Sequence, residues 1–585
     1  MKRISIIISF FVLVGIFASC ENEVATKKIT EEFSGTWKFL PGAGTDGLWI
    51  NSDYDDSSWQ EVTSEKLLSD QNVRTEYGFG RYRKTIRFSD SLRYAIDKEG
   101  GLILHLGKSA ACDEVYFNGL LVGKTGEFPP DYMGTFDGER NYVVTENINL
   151  TGDNLIAVKF NEGWTTGGFI GGARLKISSA ETDDKLIFKV DVHDEDYVFM
   201  SPDPVRITIN VENKNKQSVK GILAVNITTD DFRPVKSEST TVVINGKGNI
   251  SETFVFDDPS PGFYRYAAEF KRNSKTVYDK RFNVGYEPEK IDSPIDSKPD
   301  FDEFWENNLK ELAKVAPQYK LTLLPESSTF DYDMYLVEMR SFGNELIRGY
   351  YAKPKPEGKH PVIVDYMGYG STPYMPDRTW DGFAKFILSI RGQALNLPEN
   401  RFGTWMTYGL DDKNNYYYRG AFLDVIRALD FVSGRPEIDG DKIAVRGGSQ
   451  GGALSFAAAA LDDRVKVAAP YVPFLSDYVN YFKIVPWPKS GFESYLKDNP
   501  DTDWNAVYDV LSYFDIKNLA PRIKCPLIMG TGMQDEVCPP RINFAAYNQV
   551  KSEKYRMVFA RFGHSVGKDY YEASMKLIRE KLGIE

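Results

Sequence analysis

Over the first half of the chain, apolar and polar residues alternate in short runs that end in Asp, Asn, Gly or Pro. In residues 205–211 every odd-numbered position is apolar, which is the period of two typical of a half-buried strand. Similar runs occur at residues 82–88 and 101–106. The pattern predicts two consecutive all-β domains, over residues 35–180 and 181–287. The second has the strand spacing of an immunoglobulin-like sandwich, and we expect it to be a spacer or docking module.

The hydrophobic pattern changes after a Pro- and charge-rich stretch at residues 286–299. Residues 301–315 have helical periodicity, and from there to the C-terminus strand-like runs alternate with longer helical ones. This alternation is typical of an α/β fold with a mostly parallel sheet. We therefore predict a multidomain chain, with two N-terminal all-β sandwich domains followed by an α/β domain over residues 288–585.

The N-terminus predicts an export signal. Lys2 and Arg3 precede an apolar run at residues 4–18, and this run is shorter than the roughly 18 apolar residues of a spanning helix. The small residues directly before Cys20 resemble the lipobox of bacterial lipoproteins. We expect residues 1–19 to be a lipoprotein signal peptide and residues 20–34 a tether. The protein would then be lipid-anchored at Cys20 in a Gram-negative-type cell envelope, at the outer membrane on its periplasmic or surface face. An ordinary signal peptide with a coincidental Cys is the alternative.

Composition narrows the function classes. Acidic residues outnumber basic ones by 83 to 71, for a net charge of −12, which argues against a nucleic-acid partner. The chain has 4 His residues, far apart in sequence, so we expect no His/Cys metal centre. It also has 4 Cys, and without Cys20 the odd remainder is no disulfide framework. Cys525 and Cys538 could pair, although buried free thiols fit better.

One glycine-rich turn indicates the chemistry of the α/β domain. A strand-like run at residues 443–445 leads into Gly-Gly-Ser-Gln-Gly-Gly at 447–452, and an Ala-rich helical run follows. Gly-x-Ser-x-Gly between a strand and a helix is the nucleophile elbow of α/β-hydrolases. The tight turn strains the backbone and presents the hydroxyl group to substrate. We therefore predict an α/β-hydrolase domain with Ser449 as the nucleophile.

A serine nucleophile needs a histidine base and a carboxylate, and in this fold they follow it in the order acid, then His. After Ser449 the chain contains a single histidine, His564, directly behind a strand-like run. Asp535 follows the strand-like residues 526–529, and a carboxylate there can hold the His ring. The adjacent Glu536 is the second choice for the acid.

The developing negative charge on an ester carbonyl needs two backbone N–H donors. One is expected from Gln450, because it follows the nucleophile at the start of the helix. The other normally lies in a loop after an earlier strand. Residues 361–365 are that strand, residues 366–370 are the loop, and we assign the second donor to Tyr369.

Several ordered motifs resemble the acetyl xylan esterase and cephalosporin C deacetylase family, carbohydrate esterase family seven. The resemblance spans roughly residues 294–582 and rests on residues 391–393, 417–420, 447–452, 472–475, 535–540 and 544–548. It implies that Ser449, Asp535 and His564 form a catalytic triad and that Tyr369 and Gln450 supply the oxyanion N–H groups. The chain departs from the family pattern at Met367 and Ser565, where the family usually has His and Glu.

Four further residues are candidates for binding substrate. Arg391 and Gln393 belong to the Arg-Gly-Gln motif of the resemblance. Trp380 and Trp405 are placed in loops on the side where substrate should enter, and aromatic rings stack on sugar faces. Simple packing is an equally good interpretation for the two Trp residues.

The first β domain also resembles a known module. Residues 55–59, 115–119 and 154–158 are similar to motifs of the galactose-binding-like jelly-roll domain at the front of many family-two glycoside hydrolases. Such domains bind carbohydrate in some proteins and are spacers in others. We expect a spacer here.

Together these features predict an enzyme that needs no cofactor. The expected reaction is removal of acetyl groups from acetylated xylan or xylo-oligosaccharides, and from other acetylated small molecules such as cephalosporin C. One alternative is a serine peptidase of the prolyl-oligopeptidase type, which shares the hydrolase domain. Another is a glycan-binding lipoprotein whose hydrolase domain is inactive. The expected partners are an acetylated plant-type polysaccharide or oligosaccharide and the membrane, and the sequence leaves the oligomeric state open.

Overall fold

The computed structural model describes residues 28–584, except 34, 45–46, 64–65, 67, 74, 77, 110, 127, 129–137 and 162–174. Cys20, the expected signal peptide and residues 20–27 of the expected tether lie outside the described residues. Part of that expected tether, Thr30–Phe33, is instead a strand of the first β domain. The chain divides into two compact units, Met1–Leu186 and Ile187–Glu585. Within the described part of the chain, no helix has the length and apolar character required to cross a membrane.

The described part of the first unit consists of antiparallel strands, one α-helix and short 3-10 turns. The elements are β1 (Thr30–Phe33), β2 (Thr36–Pro41), β3 (Gln60–Thr63), β4 (Phe79–Ile86), α1 (Asp90–Glu99), β5 (Leu102–Ser109), β6 (Cys112–Phe117), β7 (Leu120–Thr125), β8 (Gly138–Val144), β9 (Asn154–Asn161) and β10 (Leu175–Ser179). They form sheets of order β1-β10-β5-β8 and β3-β2-β4-β9-β6-β7. Apolar side chains of both sheets, such as Leu104 and Val158, share one core, as in a sandwich.

The second unit begins with the other predicted sandwich. Its strands are β11 (Leu186–Val192), β12 (Val198–Phe199), β13 (Val205–Asn213), β14 (Val219–Thr229), β15 (Pro234–Ile244), β16 (Asn249–Phe256), β17 (Gly262–Arg272) and β18 (Lys275–Tyr286). The sheet orders are β11-β13-β16 and β12-β18-β17-β14-β15. In β13 the side chains of Val205, Ile207, Ile209 and Val211 are buried. This confirms the period-two prediction for that segment.

The rest of the second unit is an α/β structure. Its elements are α2 (Phe301–Ala313), β19 (Lys320–Leu323), β20 (Tyr332–Arg340), β21 (Leu346–Pro354), β22 (His360–Tyr366), β23 (Ala384–Ser389), α3 (Tyr417–Ser433), β24 (Ile438–Gly448), α4 (Gln450–Leu461), β25 (Val465–Tyr471), α5 (Tyr478–Ile484), α6 (Pro486–Asp498), α7 (Trp504–Leu511), α8 (Ile516–Leu519), β26 (Leu527–Gly532), α9 (Pro540–Gln549), β27 (Lys554–Phe559) and α10 (Lys568–Leu582).

One sheet of order β19-β20-β21-β23-β22-β24-β25-β26-β27 organises this α/β part. The strands from β23 to β27 pair in parallel, and the first three pairs are antiparallel. The sheet is therefore mostly parallel, as predicted. Because parallel strands end at the same edge, the loops after β22, β24, β26 and β27 come together there. These are the loops that carry the predicted site residues.

Candidate active site

The turn after β24 has the geometry of a nucleophile elbow. Ser449 has φ 58° and ψ −124°, a strained conformation for a residue with a side chain. The two flanking glycines are required by space. A Cβ on Gly451 would lie 2.0 Å from the carbonyl oxygen of Tyr366, and one on Gly447 would lie 2.6 Å from the carbonyl of Gly451. Strand, turn and helix can pack this closely only because both positions lack a side chain.

Asp535 and His564 meet on the loops after β26 and β27. Oδ2 of Asp535 lies 2.7 Å from Nδ1 of His564. The other oxygen, Oδ1, accepts hydrogen bonds of 2.8 Å from the backbone N–H groups of Val537 and Cys538. The Asp535 side chain is fully buried, whereas that of His564 is 29% exposed. A carboxylate on Nδ1 holds the proton there and leaves Nε2 as the acceptor. Glu536, the second choice, is exposed.

The thiol group of Cys538 connects this pair to the elbow. It shares a hydrogen bond with the Ser449 side chain, but burial, supported by the charge of Asp535, raises the pKa of the thiol well above its usual value. Its sulfur and the nearest ligand atoms of Asp535 and His564 lie within 4.8 Å of one another. The carboxylate is hydrogen-bonded to the imidazole and the neutral thiol to Ser449, so these groups as arranged form an acid–histidine pair beside a serine.

A buried pair of side-chain amides, those of Gln393 and Gln450, links the segments that carry the two expected oxyanion donors. Gln450 is the first residue of α4, so its N–H has no carbonyl partner within the helix. Its side-chain amide exchanges two hydrogen bonds of 3.1 Å with that of Gln393. Oε1 of Gln393 also accepts from the N–H of Gly370 at 3.1 Å, next to Tyr369. One side chain thus ties the loop after β22 to the start of α4.

The structure corrects the expected roles of Arg391 and Gln393. Only 6% of Arg391 is exposed, and its Nε and Nη2 donate to the carboxylate of Asp424 at 2.9 and 2.6 Å. Gln393 is 2% exposed and donates to the hydroxyl of Tyr417 besides its bonds to Gln450. Their polar groups are satisfied inside the protein. Both side chains therefore hold other residues of the protein in place and do not line the site.

The two tryptophans predicted to bind substrate lie at different places in the fold. Trp405 lies beside the site, with its ring centroid 5.1 Å from that of Tyr369 in an edge-on arrangement. Trp380 packs instead against His360, 5.7 Å away, at the first residue of β22. Tyr369 follows the other end of this strand, about 20 Å along it. The expectation that Trp380 binds substrate at the site is therefore wrong.

Sequence reasoning gave no role at the site to two aromatic residues, Trp487 beside Tyr369 and Phe474 beside Trp487. Trp487, at the start of α6, lies edge-on to Tyr369 at 5.7 Å and stacks on Phe474 at 5.9 Å. The N–H of Phe474 donates to the carbonyl of Ser449 at 3.1 Å. We call Tyr369, Trp405, Phe474 and Trp487 the aromatic wall. Trp487 carries no sequence signal of its own, because its partner Tyr369 is far away along the chain.

Comparisons with known proteins identify the family of the α/β part. The family described as acetyl xylan esterase (AXE1) matches residues 287–581. The chain is similar to the acetyl esterase Axe7A of Xylanibacter ruminicola, with 29% identity over 343 residues, which are 56% of this chain and 76% of that protein.

Among solved structures, the chain is similar to acetyl xylan esterase 1 from Thermoanaerobacterium sp., with 30% identity and a TM-score of 0.45, over 50% of this chain and 97% of that one. It is also similar to the acetyl xylan esterase from Paenibacillus sp. R4, with 32% identity and a TM-score of 0.46, over 50% of this chain and 98% of that one.

Proposed function

The chain belongs to the acetyl xylan esterase family and is a carboxylic ester hydrolase, and from this premise we propose that it is a serine esterase acting through an acetyl-enzyme. Its substrates would be acetylated xylan and xylo-oligosaccharides, and also small acetyl esters such as cephalosporin C. The observation that carries the proposal is the Asp535–His564 pair beside the strained Ser449. No step of this mechanism calls for a cofactor.

In the first half-reaction the Ser449 oxygen attacks the acetyl carbonyl carbon while Nε2 of His564 takes the hydroxyl proton. Asp535 keeps the ring oriented and stabilises the imidazolium that forms. The oxyanion accepts hydrogen bonds from the backbone N–H groups of Tyr369 and Gln450. When the carbon–oxygen bond to the sugar breaks, His564 returns its proton to the departing alcohol oxygen, and the acetyl group remains on Ser449.

In the second half-reaction a water molecule takes the place of the sugar. His564 removes a proton from the water, whose oxygen attacks the acetyl carbon, and Ser449 leaves with that proton. Acetate is released and the enzyme returns to its starting state. The aromatic wall borders the oxyanion loop, and its exposed members can present a ring to a sugar. Trp487, which is 44% exposed, is its most accessible member.

The test is a set of substitutions with a matched serine control. Ser449→Ala should lower turnover by about a million-fold, and His564→Ala by a similar factor, because the triad acts as a unit. Asp535→Asn should cost less. Ser455→Ala is the control, since Ser455 lies on the same helix and only bonds the carbonyl of Gly451 at 2.9 Å. It should keep full activity.

Acetate release should be measured on acetylated xylan and on other acetylated polysaccharides, with folding checked by circular dichroism. If a well-folded Ser449→Ala enzyme kept a tenth of the normal rate, Ser449 would not be the nucleophile. A glycan-binding role would then be the better explanation. Cleavage of aminoacyl-proline nitroanilides without acetate release would favour a peptidase.

We further propose that Cys20 is lipidated and holds the enzyme at the cell envelope, near its polysaccharide substrate. The support is the sequence pattern before Cys20. Cys20→Ser should abolish incorporation of a labelled fatty acid and move the protein out of the membrane fraction. Unchanged membrane association of this variant would exclude the anchor.

A further inference from the structure

The second β-sandwich contacts the loop that carries Asp535. In β18, Asn283 pairs on one side with β17. On its other side, the N–H of Asn283 donates to Oε1 of Gln534 at 2.7 Å, and Nε2 of Gln534 donates to the carbonyl of Asn283 at 3.2 Å. The side-chain amide thus occupies the strand edge as a neighbouring peptide group would. Nδ2 of Asn283 adds a bond to the carbonyl of Met533 at 3.1 Å.

The same residue ties the loop of Asp535 to the loop of His564. Nε2 of Gln534 donates a second bond, of 2.6 Å, to the carbonyl of Ala560. The backbone N–H of Gln534 donates to the carbonyl of Phe562 at 2.8 Å. Gln534 directly precedes Asp535, so its amide joins the sandwich and both loops within a few residues of the Asp535–His564 contact.

The loop is also held at its far end. Arg541, in the first turn of α9, donates through Nε to Asp230 of the sandwich at 2.5 Å, and both side chains are largely buried. Phe544 packs against Phe263 of β17, with ring centroids 5.6 Å apart. The segment that carries Asp535 is therefore held by the sandwich both before and after that residue.

We propose that the second β-sandwich is a working part of the catalytic unit and that Gln534 is a positioning residue, which sets Asp535 against His564 by linking both loops to Asn283. This proposal rests on the function proposed above for Asp535. It goes beyond the expectation that this domain is a spacer or docking module. A hydrogen-bonded frame around a catalytic pair acts by limiting its geometry, and small displacements there are costly to the rate.

Gln534→Met keeps the length of the side chain and removes the amide. With p-nitrophenyl acetate, kcat should fall about tenfold while KM changes less than about twofold, because the lost contacts act on orientation and not on ester binding. Gln549→Met is the matched control. Gln549 likewise bridges segments through one bond, to the carbonyl of Ser293 at 3.1 Å, but lies at the far end of α9. Its kcat should be unchanged.

A double-substitution cycle separates positioning from general destabilisation. If Gln534 acts through Asp535, Gln534→Met should have little further effect on kcat once Asp535→Asn is in place. The same tenfold loss in both backgrounds, or an unchanged kcat in the otherwise normal enzyme, overturns the proposal. Should Gln534→Met not fold, Asn283→Ala, which removes only the bond to Met533, should show a smaller loss with the same dependence on Asp535.

The outcome is independent of the nucleophile test. If activity requires Ser449 and Asp535 but is unchanged by Gln534→Met, only the positioning role is disproved. Activity that survives Ser449→Ala disproves the proposed function itself.

Discussion

The amide pair of Gln393 and Gln450 allows a sharp test of the oxyanion loop. Gln393→Leu preserves the approximate size of the side chain and removes its bonds to Gly370, Gln450 and Tyr417. Oε1 of Gln450 still accepts a hydrogen bond of 3.0 Å from the hydroxyl of Tyr418. Nε2 of Gln450 loses its partner, and the Gly370 N–H loses the acceptor that holds its loop.

The two losses act on different quantities. One buried unsatisfied amide costs about 1–3 kcal/mol in the free energy of unfolding. Gly370 is exposed, so its N–H can bond to water instead. Losing the hydrogen bond to Gln393 therefore costs little stability, but the bond then no longer fixes the backbone next to Tyr369. Since removing an oxyanion donor outright costs about 100- to 1,000-fold in kcat, a displaced donor should cost about 10- to 100-fold. KM for a small ester should change little.

Asn396→Leu is the control for burial. Its Nδ2 donates to the carbonyls of Ser389 and Ile390 at 2.8 and 3.1 Å, and the residue is 1% exposed. It should lower the unfolding temperature at least as much as Gln393→Leu while leaving kcat within about twofold of normal. Calorimetry and steady-state hydrolysis of p-nitrophenyl acetate give both quantities. Equal losses of kcat in the two variants, or a normal kcat in Gln393→Leu, would refute the reasoning.

Two further predictions concern buried titratable groups. Burial, opposed by Lys517 and supported by Asp477, raises the pKa of Asp515 to about 7. The protonated form therefore stabilises the fold at pH 4, and this contribution disappears as the pH rises through 7. Relative to Asp515→Asn, the wild type should lose up to about 4 kcal/mol of its free energy of unfolding between pH 4 and 8. If the unfolding temperatures of the two proteins change in parallel over this range, the prediction is wrong. Cys538 is buried and the pKa of its thiol is raised, so it should react with Ellman's reagent only after unfolding, and rapid labelling of the native enzyme, read by mass spectrometry, would show otherwise.

Much of the fold and part of the site follow from local pattern. The alternation in β13 and the change of period before α2 are properties of neighbouring residues, and the structure has the corresponding elements. The conformation of Ser449 is equally local, because glycines on both sides and a strand–turn–helix order leave few alternatives. His564 could be selected because no other histidine follows the elbow.

Other expectations failed where a polar or aromatic residue had two possible environments. Arg391 and Gln393 have the side chains of a binding site, yet each finds its partners inside the protein, in Asp424 and Gln450. Trp380 lies in a loop, as expected, but at the wrong end of β22. Residue type and spacing alone do not distinguish a group that binds a ligand from one that is satisfied internally.

The sequence by itself determined the strand and helix pattern, the nucleophile elbow and the order of the residues proposed as the triad, because each depends on residues close together or unique in the chain. Only the tertiary structure decided which loops meet and which side chains face the site. Gln534 has no local signal, since its partner Asn283 lies in another domain and the pairing depends on where β18 runs. Trp487 and Tyr369 likewise become neighbours only because the sheet brings their loops to one edge. Such contacts depend on strand order, which is a property of the whole domain.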